Sequence, residues 1–295
     1  MKDPGASSAR PKVIYVMGAG HSGSTILGVA LGNCAETFYA GEVEEWLVNS
    51  GRPAIGGSER TRFWQAVGER VDGAGELFGP GPNRFLERSA AVLRPDRSLQ
   101  RRRMRPRYRR VAEDLFCAIA RQADASYVVD TSHFPLRARE LQHLEGIDLY
   151  LLFLVRSPQR VVASELRHIS RHHVAERRAH AVVTNARLWL THLLSVLVFL
   201  RHARDRRLFL RYEDFLAAPR KALREILDLV GSSAEIPDLQ ALNTGVPLVG
   251  NKLLRSEVVA LESPPVASVG YSPVTTVLQA PWRLIFSRLH PAVRI

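Results

Sequence analysis

Two kinds of apolar pattern alternate along the chain. Short continuous runs at KVIYVM (12–17), SYVVD (126–130) and DLYLLFLV (148–155) suit strands buried on both faces of a sheet. Between and after them, STILGVALGN (24–33), LRARELQHL (136–144), residues 158–173, residues 180–204 and PRKALREILDLVG (219–231) space apolar residues as helices do. The last of these opens on proline and ends at glycine, the asymmetry helix termini prefer. RLFLRYEDF (207–215) predicts a further strand, and TFYAGEVEEWLVNS (37–50) a short extended piece with a helix beginning near Glu42. Strands alternating with helices predict a single α/β domain over 12–260, three layers α/β/α around a central parallel sheet.

The pattern weakens between 50 and 110, where Gly, Pro and Arg are frequent and an insertion of helices and loops is expected. Within it, RSLQRRRMRPRYRR (97–110) holds eight arginines in fourteen residues. It is either a solvated helix face and turn or an anion-binding surface that could touch an acidic membrane peripherally. Residues 1–11 form a polar tail with no apolar signal region. Residues 261–295 form a loosely attached extension with an amphipathic turn at PWRLIFSRL (281–289). LWLTHLLSVLVFL (188–200) is too short to span a bilayer and is expected to be a buried core helix.

Composition sharpens the picture in one respect. The 295 residues carry a net charge of +12, and of 41 basic residues only Lys2, Lys12, Lys221 and Lys252 are lysine. Arginine suits planar, bidentate recognition of phosphate and sulfate, so an anionic partner is expected, although charge alone does not separate nucleotide, nucleic acid and lipid. Cys34 and Cys117 have no metal-ligand spacing, which fits core residues in a reducing cytoplasm.

The candidate chemistry begins at VMGAGHSGSTILG (16–28). A strand, a tight loop and a helix N-terminus aim successive amides at one point, forming an anion cradle to which Ser22, Ser24 and Thr25 add hydroxyls. Gly18, Gly23 and Ser24–Thr25 have Walker-loop spacing, with serine in place of the lysine. A nucleoside triphosphatase or nucleotide kinase would miss that cation, whereas sulfuryl transfer develops less charge and can be managed by amides and hydroxyls.

GAGHSGST, the GE at 41–42, VVDTSHFPLRARELQHL (128–144), LLFLVRSPQRVVASE (151–165), FLRYEDFLAAPRKALREIL (209–227) and GNKLLR (250–255) come in an order that resembles the sulfotransferases using 3′-phosphoadenosine 5′-phosphosulfate (PAPS). The resemblance covers about residues 12 to 255 and implies the P-loop NTPase-like sulfotransferase fold. It implies PAPS as co-substrate, no metal, and cytoplasmic sulfation of a small-molecule, glycan or lipid hydroxyl. Gly20, His21, Ser22, Gly23, Ser24 and Thr25 would hold the phosphosulfate, and Arg156 and Ser164 the 3′-phosphate. Tyr212 would lie near the adenosine, with Asn251 and Arg255 in a late loop around the 3′-phosphate.

Two residues match family positions for the general base. Glu42 stands where the tyrosylprotein branch carries a catalytic glutamate, one residue further from the loop; His133 stands where the cytosolic branch carries a catalytic histidine. Both remain open at the level of sequence. His21 occupies the place of the usual lysine or arginine over the bridging oxygen and is a third catalytic candidate, while Asp130 is expected to fix loop geometry. The acceptor would be lined by 50–110 and by the helices around 165–190. An arginine-rich composition fits a GC-rich bacterial genome, in which a specialised metabolite or a glycolipid is the expected acceptor. The alternatives are a non-catalytic module binding nucleic acid or anionic lipid through 97–110, and a nucleotide kinase. Single-strand binding is disfavoured because Tyr108 is the only aromatic residue in that stretch.

Overall fold

The computed structural model describes residues 10–54, 56–166, 174–261 and 273–280. Its elements are β1 (Lys12–Gly18), α1 (Ser24–Gly32), β2 (Thr37–Gly41), α2 (Glu45–Val48), α3 (Ser58–Gly68), α4 (Ser98–Ala123), β3 (Tyr127–His133), α5 (Pro135–Leu141) and β4 (Asp148–Val155). They continue with α6 (Pro158–Leu166), α7 (Val174–Arg201), β5 (Arg207–Arg211), α8 (Tyr212–Ala217), α9 (Pro219–Val230), the two-residue strands β6 (Leu242–Asn243) and β7 (Val258–Val259), and α10 (Pro273–Leu278). The ends of the chain, including the amphipathic turn expected at 281–289, and the end of the helix expected over 158–173 lie outside the described residues.

Strands β1 to β5 form a parallel sheet in the order β2-β3-β1-β4-β5. Alternation along each strand sends side chains to two separate cores. Tyr15, Met17, Leu151 and Phe153 pack with α4, α5 and α7, whereas Ile14, Val16, Leu152 and Leu154 pack with α1, α8 and α9. The result is the three-layer arrangement the sequence predicts. Phe153 anchors the first core, with ring centroids 5.8 Å from Phe199 and 5.5 Å from Phe209. Truncating so buried a ring costs roughly 3–5 kcal/mol.

Three segments depart from expectation. Residues 98–110 are the first half of the continuous helix α4, which runs through Pro106. Proline there removes one helical hydrogen bond, but the buried face of Tyr108, Val111, Ala112, Leu115, Phe116 and Ile119 holds the helix to the core. Most of the arginines are bound internally. Arg105 and Arg109 both reach Glu140, Arg107 pairs with Glu76, Arg97 with Asp96, and Arg101 donates to the carbonyls of Ala91 and Arg94.

Helix α7 is not a fully buried core helix. His192, Ser195 and Val198 face inward, while Leu193, Leu197 and Leu200 are exposed. Val182–Arg201 is long and apolar enough to cross a bilayer, yet its inner face packs on the domain. Finally, the extension is attached at α10, where the Trp189 indole N–H donates to the Leu278 carbonyl at 3.0 Å and the Gln279 amide to Asn185 at 2.7 Å.

Candidate active site

Strand β1 lies between β3 and β4, so the order of connection reverses beside it and a crevice opens at the carboxyl ends of the strands. The loop after β1 turns through left-handed backbone at His21 (φ 61°) and Gly23 (φ 92°). Gly23 caps α1, and a Cβ there would collide with the Tyr212 ring at the start of α8. From the end of β4, Arg156 donates through Nη1 to the His21 carbonyl at 3.0 Å, and its guanidinium lies 4.9 Å from the Tyr212 ring centroid. The structure thus brings the loop, Arg156 and Tyr212 into contact. The Ser157 amide donates to Glu213 Oε1 at 3.0 Å and ties the β4–α6 turn to α8.

The loop has unused hydrogen-bonding capacity. Ser22 is 1% exposed and its hydroxyl has no partner, an uncommon and costly state for a buried polar group. The Tyr39 hydroxyl bonds the hydroxyls of Thr25 and of Thr131, the latter at 3.2 Å, joining the N-terminus of α1 to β3. Tyr39 comes this close because its ring lies against Gly28, where a Cβ would collide with it. Amides at a helix N-terminus, the open Ser22 hydroxyl and Arg156 suit a phosphate or sulfate oxyanion. Among the described residues no group of three His, Cys, Asp or Glu side chains is placed to hold a metal ion.

The two candidate bases stand at the ends of neighbouring strands. Glu42 lies in the turn before α2, not inside it: Gly41 bends the chain at φ 82° and the Glu42 amide donates to the Val249 carbonyl at 3.1 Å, which delays the helix to Glu45. Burial, then the charges of Glu45 and Asp130, push the Glu42 carboxyl from 4.5 up to about 7. His133 ends β3, which runs three residues beyond its expected limit, and is half-buried with φ 56°. Its Nε2 faces Gly20, 3.9 Å from where a Cβ on that glycine would stand, and its ring packs on Phe134 at 4.3 Å. Burial pulls this imidazole down to about 4, the Thr131 backbone opposing and Arg88 and His21 assisting. The following turn is held by the Tyr15 hydroxyl, which donates to the Phe134 carbonyl at 2.8 Å.

Behind these residues lies a buried ionic network of which the sequence anticipates only Asp130. Arg137, 2% exposed, donates to Asp130 Oδ2 through Nε (3.3 Å) and Nη2 (3.2 Å). Its Nη1 donates to Glu87 Oε1 (2.7 Å) and to the Tyr108 hydroxyl (2.8 Å), which itself donates to Glu87. Asp130 Oδ1 accepts from the Ser132 amide (2.8 Å), the Ser132 hydroxyl and the Val43 amide (3.4 Å).

The other expected donor contacts are more dispersed. Ser164 is half-buried on α6, eight residues after Arg156. Asn251 and Arg255 are exposed, and no hydrogen bond or ion pair joins their side chains to the loop or to Arg156 among the described residues. Their segment is nonetheless anchored on β2, where the Leu248 amide donates to the Ala40 carbonyl at 2.9 Å.

Residues 11–235 match a family model described as the sulfotransferase family. Two solved structures are similar over nearly their whole length. The sulfotransferase domain of the Synechococcus PCC 7002 olefin synthase superposes with a TM-score of 0.54 at 19% identity, covering 96% of this chain and 98% of that one. A sulfotransferase domain from the curacin biosynthetic pathway gives a TM-score of 0.50 at 15% identity, covering 92% and 98%. At such identities the likeness is one of fold. A search of curated proteins finds no match.

Proposed function

The chain belongs to the sulfotransferase family, and from that premise we propose that it transfers the sulfuryl group of PAPS to the hydroxyl of a small-molecule, glycan or lipid acceptor in the bacterial cytoplasm, with Glu42 as general base. PAPS, when bound, supplies the activated sulfuryl group. The amides of residues 20–25 and the Ser22 hydroxyl would hold its phosphosulfate end. Arg156 and Ser164 would hold the 3′-phosphate, Tyr212 would lie beside the adenosine, and Asn251 and Arg255 would complete the late loop. The observation that carries the reading is the loop itself: a left-handed cradle braced by Arg156, with a buried hydroxyl left unpaired.

The two base candidates differ in proton affinity. A carboxyl that titrates at about 7 is about half ionised at neutral pH and still binds a proton firmly, the compromise that favours general-base catalysis. An imidazole at about 4 is always neutral there and is a much weaker base. His133 therefore serves the transfer as a hydrogen-bonding group, its Nε2 facing the loop at Gly20. Exposed His21, in the same loop, would supply a second ring N–H where the family resemblance implies a cation.

The test is donor binding followed by turnover. Adenosine 3′,5′-bisphosphate (PAP) and PAPS should each raise the melting temperature of the parent. Glu42→Gln should bind PAP as the parent does and lose turnover, whereas His133→Asn should keep the acid limb of the parent's pH profile. No donor-dependent thermal shift, or parental turnover in Glu42→Gln, would refute the reading.

A further inference from the structure

We propose that Asp130 and Ser132 are positioning residues, forming a clip that holds the turn carrying Glu42 in register with the strand end carrying His133 and that is locked from behind by Arg137. The inference rests on Glu42 acting as the base.

The clip takes over where the sheet stops. The β2–β3 ladder becomes irregular between Tyr39 and Gly41, and its last pair is Gly41 with Asp130. Beyond that point the turn at 42–44 needs other partners for its amides. Two come from β3 side chains: the Val43 amide donates to Asp130 Oδ1 at 3.4 Å and the Glu44 amide to Ser132 Oγ at 3.2 Å. The Ser132 hydroxyl in turn donates to Asp130 Oδ1, so it relays between the turn and the carboxylate. The Glu42 amide is held separately, by the Val249 carbonyl. Neighbouring amides of the Glu42 turn are thus fixed to the strand whose end carries His133.

Asp130 is itself immobilised. Three donors converge on Oδ1 and two from Arg137 on Oδ2, a set that suits a carboxylate without a proton of its own. Arg137 is held in turn by Glu87 and Tyr108, in full burial. Such a cluster costs desolvation and is weak evidence for stability as such; its use is to fix geometry. It has an electrostatic consequence as well. Glu42 is faced by Glu45 from α2 and Asp130 from β3, whose charges disfavour a further negative charge, while Glu44 of its own turn is itself pushed well above the usual carboxylate range, first by burial and then by Glu42. Asp130 therefore places the base and raises its proton affinity together.

The two effects separate experimentally. Carboxyl 13C titration of Glu-labelled protein, with the Glu42 signal assigned by Glu42→Gln, reads proton affinity without an acceptor. PAPS turnover against pH reads placement. Ser132→Ala removes the relay but no charge: turnover should fall about tenfold or more at every pH, since small misplacements near the chemistry are costly, with the Glu42 titration and PAP affinity within twofold of the parent. Asp130→Asn should lower turnover and shift the Glu42 titration to lower pH. Glu45→Gln should shift the titration in the same direction and keep turnover above neutral pH. Parental turnover in Ser132→Ala would overturn the clip, and it decides the matter alone if Asp130→Asn does not fold. An unmoved titration in folded Asp130→Asn would overturn the electrostatic part. If the parent itself neither binds PAP nor turns over PAPS, the functional reading fails instead, and that outcome is distinct from both.

Discussion

Gly23 is a point at which the donor loop is open to disruption by a single substitution. It holds α1's N-cap at φ 92°, and an alanine Cβ there would collide with three atoms of the Tyr212 ring. Two costs add. Left-handed backbone penalises a residue with a Cβ by about 1–2 kcal/mol, and forcing a methyl into packed surroundings costs about 1–3 kcal/mol. Gly23→Ala should therefore lose about 2–5 kcal/mol of stability, a fall of several degrees or more in Tm for a chain of this size. Because the Tyr212 ring also carries the Arg156 guanidinium, and Arg156 holds the His21 carbonyl, the displacement should pass into the loop and weaken PAP binding about tenfold or more. Thermal melts and calorimetric titration with PAP measure the two losses. The double variant Gly23→Ala/Tyr212→Leu separates them, since it relieves the collision and leaves the backbone strain. Its loss should be smaller than the sum of the single losses by about 1–3 kcal/mol, as expected for residues in contact. Strict additivity, or Gly23→Ala with parental Tm and PAP affinity, would refute the claim that Tyr212 braces the loop.

Other outcomes follow from the same geometry. Glu42→Gln should cut kcat by about 10² or more, the range for a lost general base, with PAP affinity within twofold, and the acid limb of the parent's kcat/KM, which reports the free enzyme, should lie near pH 7. Because the folded carboxyl keeps its proton up to about 7 where the unfolded one releases it near 4.5, parental stability should fall as pH rises between those values; Glu42→Gln should lack that part of the fall, which melts at pH 4.5 and pH 8 would show. Arg137→Met leaves Asp130 and Glu87 buried and unpaired and should cost about 3–5 kcal/mol; a Tm within two degrees of the parent would show that the network carries no strain on losing its cation. His21→Lys should preserve or raise turnover, most clearly above neutral pH, and a loss there would remove His21 from the transfer step.

How much of this could be read from residues alone depends on how local each feature is. The strands were legible because β4 and β1 are buried on both faces and so run apolar without interruption, and the donor loop because its chemistry lies in one contiguous stretch of backbone. Helix α4 was obscured by arginines that turn to Glu140, Glu76 and the carbonyls of 91 and 94; its apolar face becomes continuous only once Tyr108 is joined to Val111, Leu115 and Phe116 beyond the arginine run. Arg137 shows the limit most clearly. In LRARELQHL its charge assigns it to the solvent side, yet it is fully buried because Glu87 and Tyr108, 50 and 29 residues away, arrive to meet it along with Asp130. No periodicity encodes a partner brought in by tertiary packing. The same reasoning applies to the base. Whether Glu42 or His133 can take a proton at neutral pH depends on how each is buried and against what: burial first, then the charges of Glu45 and Asp130, hold the Glu42 proton on, while burial, with Arg88 and His21 nearby, drives the His133 proton off. The donor half of the site is therefore carried by the local chain, while the acid–base half is a property of the assembled ends of β2 and β3.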